Sequence, residues 1–118
     1  MPFHKLNVYR KAYDFSIALH RESLRFPKFE QIELASQLRR ATKSIPANIA
    51  EGMGRQMSPK DVVRFLRTAL GSCDETRIWL EYARDLGYLE PSRFAELYES
   101  YCEVGRMLNG LVQKWTRS

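Results

Sequence analysis

The chain has little of what most catalytic and covalently stapled proteins need. Of its 118 residues only two are histidine and two are cysteine, with six glycines and five prolines. His4 and His20 lie far apart, and neither stands in a His-Glu-x-x-His or Glu-x-x-His spacing, so the helical zinc and di-iron patterns are missing. No phosphate-binding loop, dinucleotide fingerprint or nucleophile elbow is present. Each histidine therefore reads as a surface or helix-end residue, and the chain is expected to be no enzyme and to hold no metal or cofactor. Cys73 and Cys102 fall at core-type positions of predicted helices and read as buried, reduced thiols. No run of residues approaches a membrane span, and residues 1–10 lack the apolar core of a signal peptide, so no membrane partner is expected. A cytoplasmic location of the bacterial type follows as the expectation.

What is present suits a small packed domain. Hydrophobic residues make up 44%, too many for a disordered chain, and the length fits one domain over residues 1–118 with a real core. The few prolines and glycines cluster, and they divide the chain into four long segments with helical periodicity; strand signals are lacking throughout. The first segment, residues 7–25, stops before Pro27 and turns Val8, Ala12, Phe15 and Leu19 inward, with Arg10, Asp14, Arg21 and Arg25 opposite. The second, residues 31–51, places Leu34, Leu38, Ala41, Ile45 and Ile49 on one stripe and stops at Gly52. Pro46 interrupts it by removing a donor to the carbonyl of Thr42, and the unbroken phase from Ile45 to Ile49 predicts a kink rather than an end.

Ser58, Pro59 and Asp61 then form a strong helix start: a capping hydroxyl, a ring suited to the first turn and a carboxylate that answers the helix dipole. The third stripe reads Val62, Leu66, Ala69, Cys73, Thr76, Leu80 and Ala83 and ends at Gly87, a residue suited to a left-handed stop. The fourth helix begins near Pro91, and Leu97, Tyr101, Val104, Leu108, Leu111 and Trp115 recur at heptad spacing. Four amphipathic helices with short connections bury their stripes most simply as an all-α, antiparallel up-down-up-down four-helix bundle, with the Pro kink in helix two.

Charge is unevenly spread along a chain of net charge +5. Arg39, Arg40, Lys43, Arg55, Lys60, Arg64 and Arg67 face only Glu51 and Asp61 in the same stretch, whereas residues 68–118 are slightly acidic. Adjacent antiparallel helices would bring these cations to one outer region, the usual electrostatic footprint for a phosphate backbone; a merely solvated face is the competing reading. On the third helix Ile78 and Tyr82 point away from Leu80 and Ala83, with Trp79 at the side, and Ile17 points outward on the first. Large apolar residues turned to water mark a surface for self-association, so Ile78, Trp79 and Tyr82 are the candidate oligomer interface. Within Ser44, Pro46, Asn48, Glu51 and Gly52, Asn48 lies near the core face, and its amide is expected to be buried and to clamp backbone beside Pro46; a polar clamp is favoured there over a ligand site.

The runs Gln37-Leu38-Arg39-Arg40-Ala41 and Ser44-Ile45-Pro46-Ala47-Asn48-Ile49-Ala50-Glu51-Gly52, with Gly54-Arg55, Phe65-Leu66, Gly71-Ser72 and Leu86-Gly87-Tyr88-Leu89, carry a family likeness. The chain resembles the four-helix-bundle proteins encoded within intervening sequences of bacterial 23S ribosomal RNA genes, and it is similar in fold to the accessory proteins of diversity-generating retroelements. The resemblance implies a bundle that assembles as a ring-like homopentamer. It also implies two different prospects for function, since the retroelement proteins bind nucleic acid and a reverse transcriptase while the intervening-sequence proteins have no established activity. Two functions stay open: an oligomer that binds RNA or DNA backbone through the basic region, and a structural or adaptor oligomer that binds an acidic protein partner.

Overall fold

The computed structural model describes residues 2–54 and 58–117. Its long helices are α1 (Asn7–Ser23), α2 (Leu34–Gly54), α3 (Pro59–Asp85) and α4 (Pro91–Thr116), with 3-10 turns at Phe3–Lys5 and Lys28–Glu30. The local chemistry explains most of these boundaries. Ser58 Oγ accepts the Asp61 N–H at 3.3 Å and donates to Asp61 Oδ2 at 3.0 Å, which closes a reciprocal cap at the start of α3. At its other end Gly87 takes φ 83°, the Tyr88 N–H reaches back to the Ala83 carbonyl at 2.8 Å and the Gly87 N–H to that of Arg84 at 3.0 Å. This paired closure needs a residue without a Cβ at its left-handed position.

The cross-links between helices run in opposite order along each neighbouring pair, so neighbours are antiparallel. Ser23 and Phe3 of the N-terminal segment meet Arg39 and Gly54 of α2. Ser44 and Gly52 of α2 meet Ser72 and Phe65 of α3. Cys73 and Glu81 of α3 bond to Tyr101 and Tyr98 of α4, while Lys11 and Glu22 of α1 bond to Glu103 and Arg93. Each helix packs on its sequence neighbour and α1 also packs on α4, which closes a four-membered ring inside an envelope of 45 × 23 × 20 Å. The 27 residues of α3 account for that long axis, at about 1.5 Å per residue.

The predicted stripes form the core. Leu19, Leu38, Ile45, Ile49, Leu66, Leu80, Tyr101 and Leu108 are fully buried. One polar link crosses this interior from α2 to α4: the hydroxyls of Thr42 and Tyr101 lie 2.5 Å apart, both at 0% exposure. Burial holds the Tyr101 hydroxyl proton above its ordinary range, and it pushes the neighbouring Cys73 thiol up to about 11. Cys73 Sγ also donates to the Tyr101 carbonyl at 3.0 Å.

Several expectations need correction. The second helix starts at Leu34, not Gln31, because Lys28–Glu30 forms a 3-10 turn, the Glu30 carboxylate takes the Leu34 N–H at 3.4 Å, and Gln31 turns its amide back to the Ser23 and Phe26 carbonyls. It passes through Gly52 to Gly54; Pro46 sits buried inside it, and, as expected, the helix runs on past the ring rather than ending there. Gly52 serves close approach rather than termination: a Cβ there would lie 2.8 Å from Phe65 Cβ. Asn48 is half-buried, and its amide donates to the carbonyl and hydroxyl of Ser44 at 2.8 and 3.0 Å, not to Thr42. Phe15 and Cys102 are half-buried, and in the last turns of α4 Val112 replaces Leu111 as the buried residue. That last change is the drift of a 3.6-residue helix away from a strict heptad.

Leu38→Ala and Leu108→Ala should each destabilise the protein by roughly 2–5 kcal/mol in urea unfolding, the range for a fully buried leucine. Gly52→Ala should destabilise it by about 1–3 kcal/mol, since Phe65 meets the new methyl through its own Cβ rather than through a mobile side-chain tip. Unfolding midpoints equal to wild type would show that these helices do not face as described.

Candidate nucleic-acid interface

The basic residues that stand close in sequence separate in the fold. Arg39 is not an open cation. Its guanidinium donates to Ser23 Oγ at 2.8 Å, to Gln31 Oε1 at 3.1 Å and to the Gln31 carbonyl at 3.0 Å. Gln31 in turn holds the Ser23 and Phe26 carbonyls, so the group clamps the end of α1 to α2 and satisfies carbonyls that the helix end leaves open. Arg39 had been expected to project outward. It lies instead one position past buried Leu38, on the flank of α2 that meets α1.

Arg40 and Lys43 are exposed. Lys43 lies on the α1 side, where burial and then the charges of Lys43, Arg39 and Arg21 lower the pKa of His20. Lys60, Arg64 and Arg67 are exposed on α3, and Lys60 and Arg67 line a shallow groove with Trp115 and Thr116 of α4. Lys43 thus lies on the α1 flank of α2, and Lys60 and Arg67 on the α4 flank of α3, the sides turned away from each other. The Ser44–Ser72 bond at 2.8 Å fixes the register and leaves the α3 set about 9–20 Å along the axis from the level of Lys43, at 1.5 Å per residue. Arg55 lies outside the described residues.

The run from Ser44 to Gly52 is a packing seam. Ser44 links Asn48 within the helix to Ser72 across it, Ile45, Pro46 and Ile49 are buried, and Gly52 admits Phe65. Glu51 is half-buried. Small side chains are what permit this approach between α2 and α3. Among the described residues no three His, Cys, Asp or Glu side chains converge as a metal site requires, and no helix is long and apolar enough to cross a membrane.

Ile78 and Tyr82 are exposed at 49% and 54%, and Trp79 is half-buried against the Tyr82 ring, with centroids 5.6 Å apart. Trp79 Nε1 donates to Glu75 at 3.1 Å. The fold adds what the sequence reading missed. Ile32, exposed at 85%, and Leu86 join Trp79 and Tyr82 in a groove between the start of α2 and the end of α3. Tyr13 and Leu24 extend the exposed stripe begun by Ile17 on α1. The signal for these was in the sequence, as apolar residues off the buried stripes, but only the fold shows which of them share a surface.

A family model for the 23S rRNA-intervening sequence protein matches residues 4–110. The chain belongs to that family. A crystal structure of a protein of unknown function from the S23 ribosomal protein family of Bacteroides thetaiotaomicron VPI-5482 superposes with a TM-score of 0.84. It is 22% identical over 96% of this chain and 99% of that one, and at this identity the likeness speaks to the fold alone. No curated protein matches the chain significantly. In this chain the run from Ser44 to Gly52 is explained by helix packing.

Arg39→Ala should therefore behave as a structural variant, destabilising by about 1–3 kcal/mol through lost charge-assisted bonds. Arg40→Ala, one residue on and exposed, should stay within about 0.5 kcal/mol of wild type. Equal unfolding midpoints for the two variants would remove the clamp.

Proposed function

We propose that this chain is a non-enzymatic homo-oligomer, a pentamer on the family resemblance, that binds RNA or DNA backbone through two basic flanks. The carrying observation is the set Arg40, Lys43, Lys60, Arg64 and Arg67, all exposed. Among the described residues Arg64 alone of these reaches a carboxylate, Asp61 at 3.8 Å, so the charge is left for an external anion. Burial first, and then the charges of Lys43, Arg39 and Arg21, lower the His20 pKa, and the second cause supports a positive potential on the α1–α2 flank. A single subunit offers few phosphate contacts, and repetition of the flanks around an oligomer lets them act together on one polyanion. Binding of this kind releases counterions and discriminates little between sequences.

Filter binding of a duplex at two salt concentrations tests it. Each phosphate neutralised contributes about 0.9 to the log–log slope. The variant with Arg40, Lys43, Arg64 and Arg67 all changed to Gln should bind more weakly to every sequence and with a flatter slope. In NMR titrations the pKa of His20 should rise in part when the polyanion is added, because phosphates offset the charges of Lys43, Arg39 and Arg21 while the larger effect of burial stays. Wild-type affinity and slope in the quadruple variant would reduce these flanks to solvated surface. Absence of binding at low salt would move the function to an adaptor oligomer for an acidic protein.

A further inference from the structure

Apart from Phe29 and Ile78, the large apolar side chains left exposed gather in two places. Among the described residues none lies on α4. One set is the groove at the α2–α3 end, where Ile32, Trp79, Tyr82 and Leu86 gather, and its lining includes Glu30 and Glu33 but no lysine or arginine. The other is the outer stripe of α1 formed by Tyr13, Ile17 and Leu24, exposed at 48%, 37% and 59%. Arg10 precedes Tyr13 by one helical turn, and Arg21 follows Ile17 by another. Asp14 is the one carboxylate on that face. One apolar surface thus carries exposed Glu33 at its edge, the buried Glu30 being bonded to the Leu34 N–H and the Tyr88 hydroxyl, and the other is edged by Arg10 and Arg21.

We infer that these are the two halves of one contact: the outer stripe of α1 in one copy seats in the α2–α3 groove of the next. The inference rests on the homo-oligomer reading and deepens it. A groove set against its own copy would oppose Glu33 to Glu33, and a stripe against its own copy would oppose arginines; groove against stripe pairs opposite charges around an apolar centre. Two different patches that complement each other make a heterologous interface. Such an interface closes into a ring or runs on as a filament and does not stop at a two-fold dimer. Sequence alone named Ile78, Trp79 and Tyr82 as the interface and Ile17 as outward-facing, without pairing the two.

The test separates the two faces. Ile17→Glu spoils the stripe and leaves the groove; Tyr82→Glu spoils the groove and leaves the stripe. Both positions are exposed, and circular dichroism melts check that each variant stays folded. Light scattering at micromolar concentration should give a wild-type mass of several chains, and for each variant alone a mass near the 13.9 kDa of one chain. An equimolar mixture of the two should give about twice that mass and no more, because one good groove and one good stripe remain and the spoiled pair repels. Wild-type assembly by either single variant, or a mixture that stays monomeric, overturns the pairing while leaving an oligomer in place. A monomeric wild type overturns the oligomer itself.

Discussion

The hydroxyl pair of Thr42 and Tyr101 fixes how the bundle is registered. Apolar stripes alone permit helices to slide by a turn at small loss, since one leucine contact resembles the next. A buried hydroxyl does not, because leaving it unpaired costs roughly 1–3 kcal/mol. Tyr101 has no water to turn to, so α4 must stand where its hydroxyl meets Thr42 across the core, and Cys73 of α3 bonds to its carbonyl in the same layer. The other cross-links, Ser44 to Ser72 towards one side of this level and Glu22 to Arg93 towards the end, follow in consistent order.

From that register two consequences spread outward. The first is the close packing of α2 on α3. Ser44, Asn48 and Gly52 make a narrow strip on which Ser72 and Phe65 can sit, so the most distinctive run of the sequence is spent on holding two helices together. The second is the closure of the far end. Arg39, Gln31 and Ser23 tie the first connection, and Glu30 ties it to the α3–α4 connection through the Tyr88 hydroxyl at 2.8 Å, a bond that raises the Tyr88 pKa. The end of the bundle that carries the exposed groove is therefore held by charged hydrogen bonds as well as by apolar packing.

Charge and apolarity are sorted on the outside with the same geometry. A hairpin of antiparallel helices brings residues near in sequence together only if they lie close to the turn and on facing or outward sides. Lys60 lies close to the turn while Lys43 lies several helical turns away, and their flanks diverge towards α4 and α1. A stretch that reads as one basic patch thus becomes two. The apolar residues behave in the opposite way: Ile32, Trp79, Tyr82 and Leu86 are scattered in sequence and meet in one groove.

The sequence by itself determined the helices and what each would bury. The α3 stripe from Val62 to Ala83 is the buried set found, and Ser58 and Gly87 bound that helix as their chemistry requires. These properties are local: periodicity, caps and a left-handed glycine act within a few residues. The tertiary structure alone decided the role of residues whose partners are remote. Arg39 looks like a surface cation until Ser23 and Gln31 arrive beside it, Gly52 looks like a helix stop until Phe65 presses on it, and Leu111 yields its place to Val112 as the helix drifts from the heptad. Thr42 looks like an ordinary polar residue of a helix, and only the arrival of Tyr101 from 59 residues away makes it part of the core. Periodicity records which side of a helix turns inward, but it carries no information about what stands opposite, and that is where these roles are set.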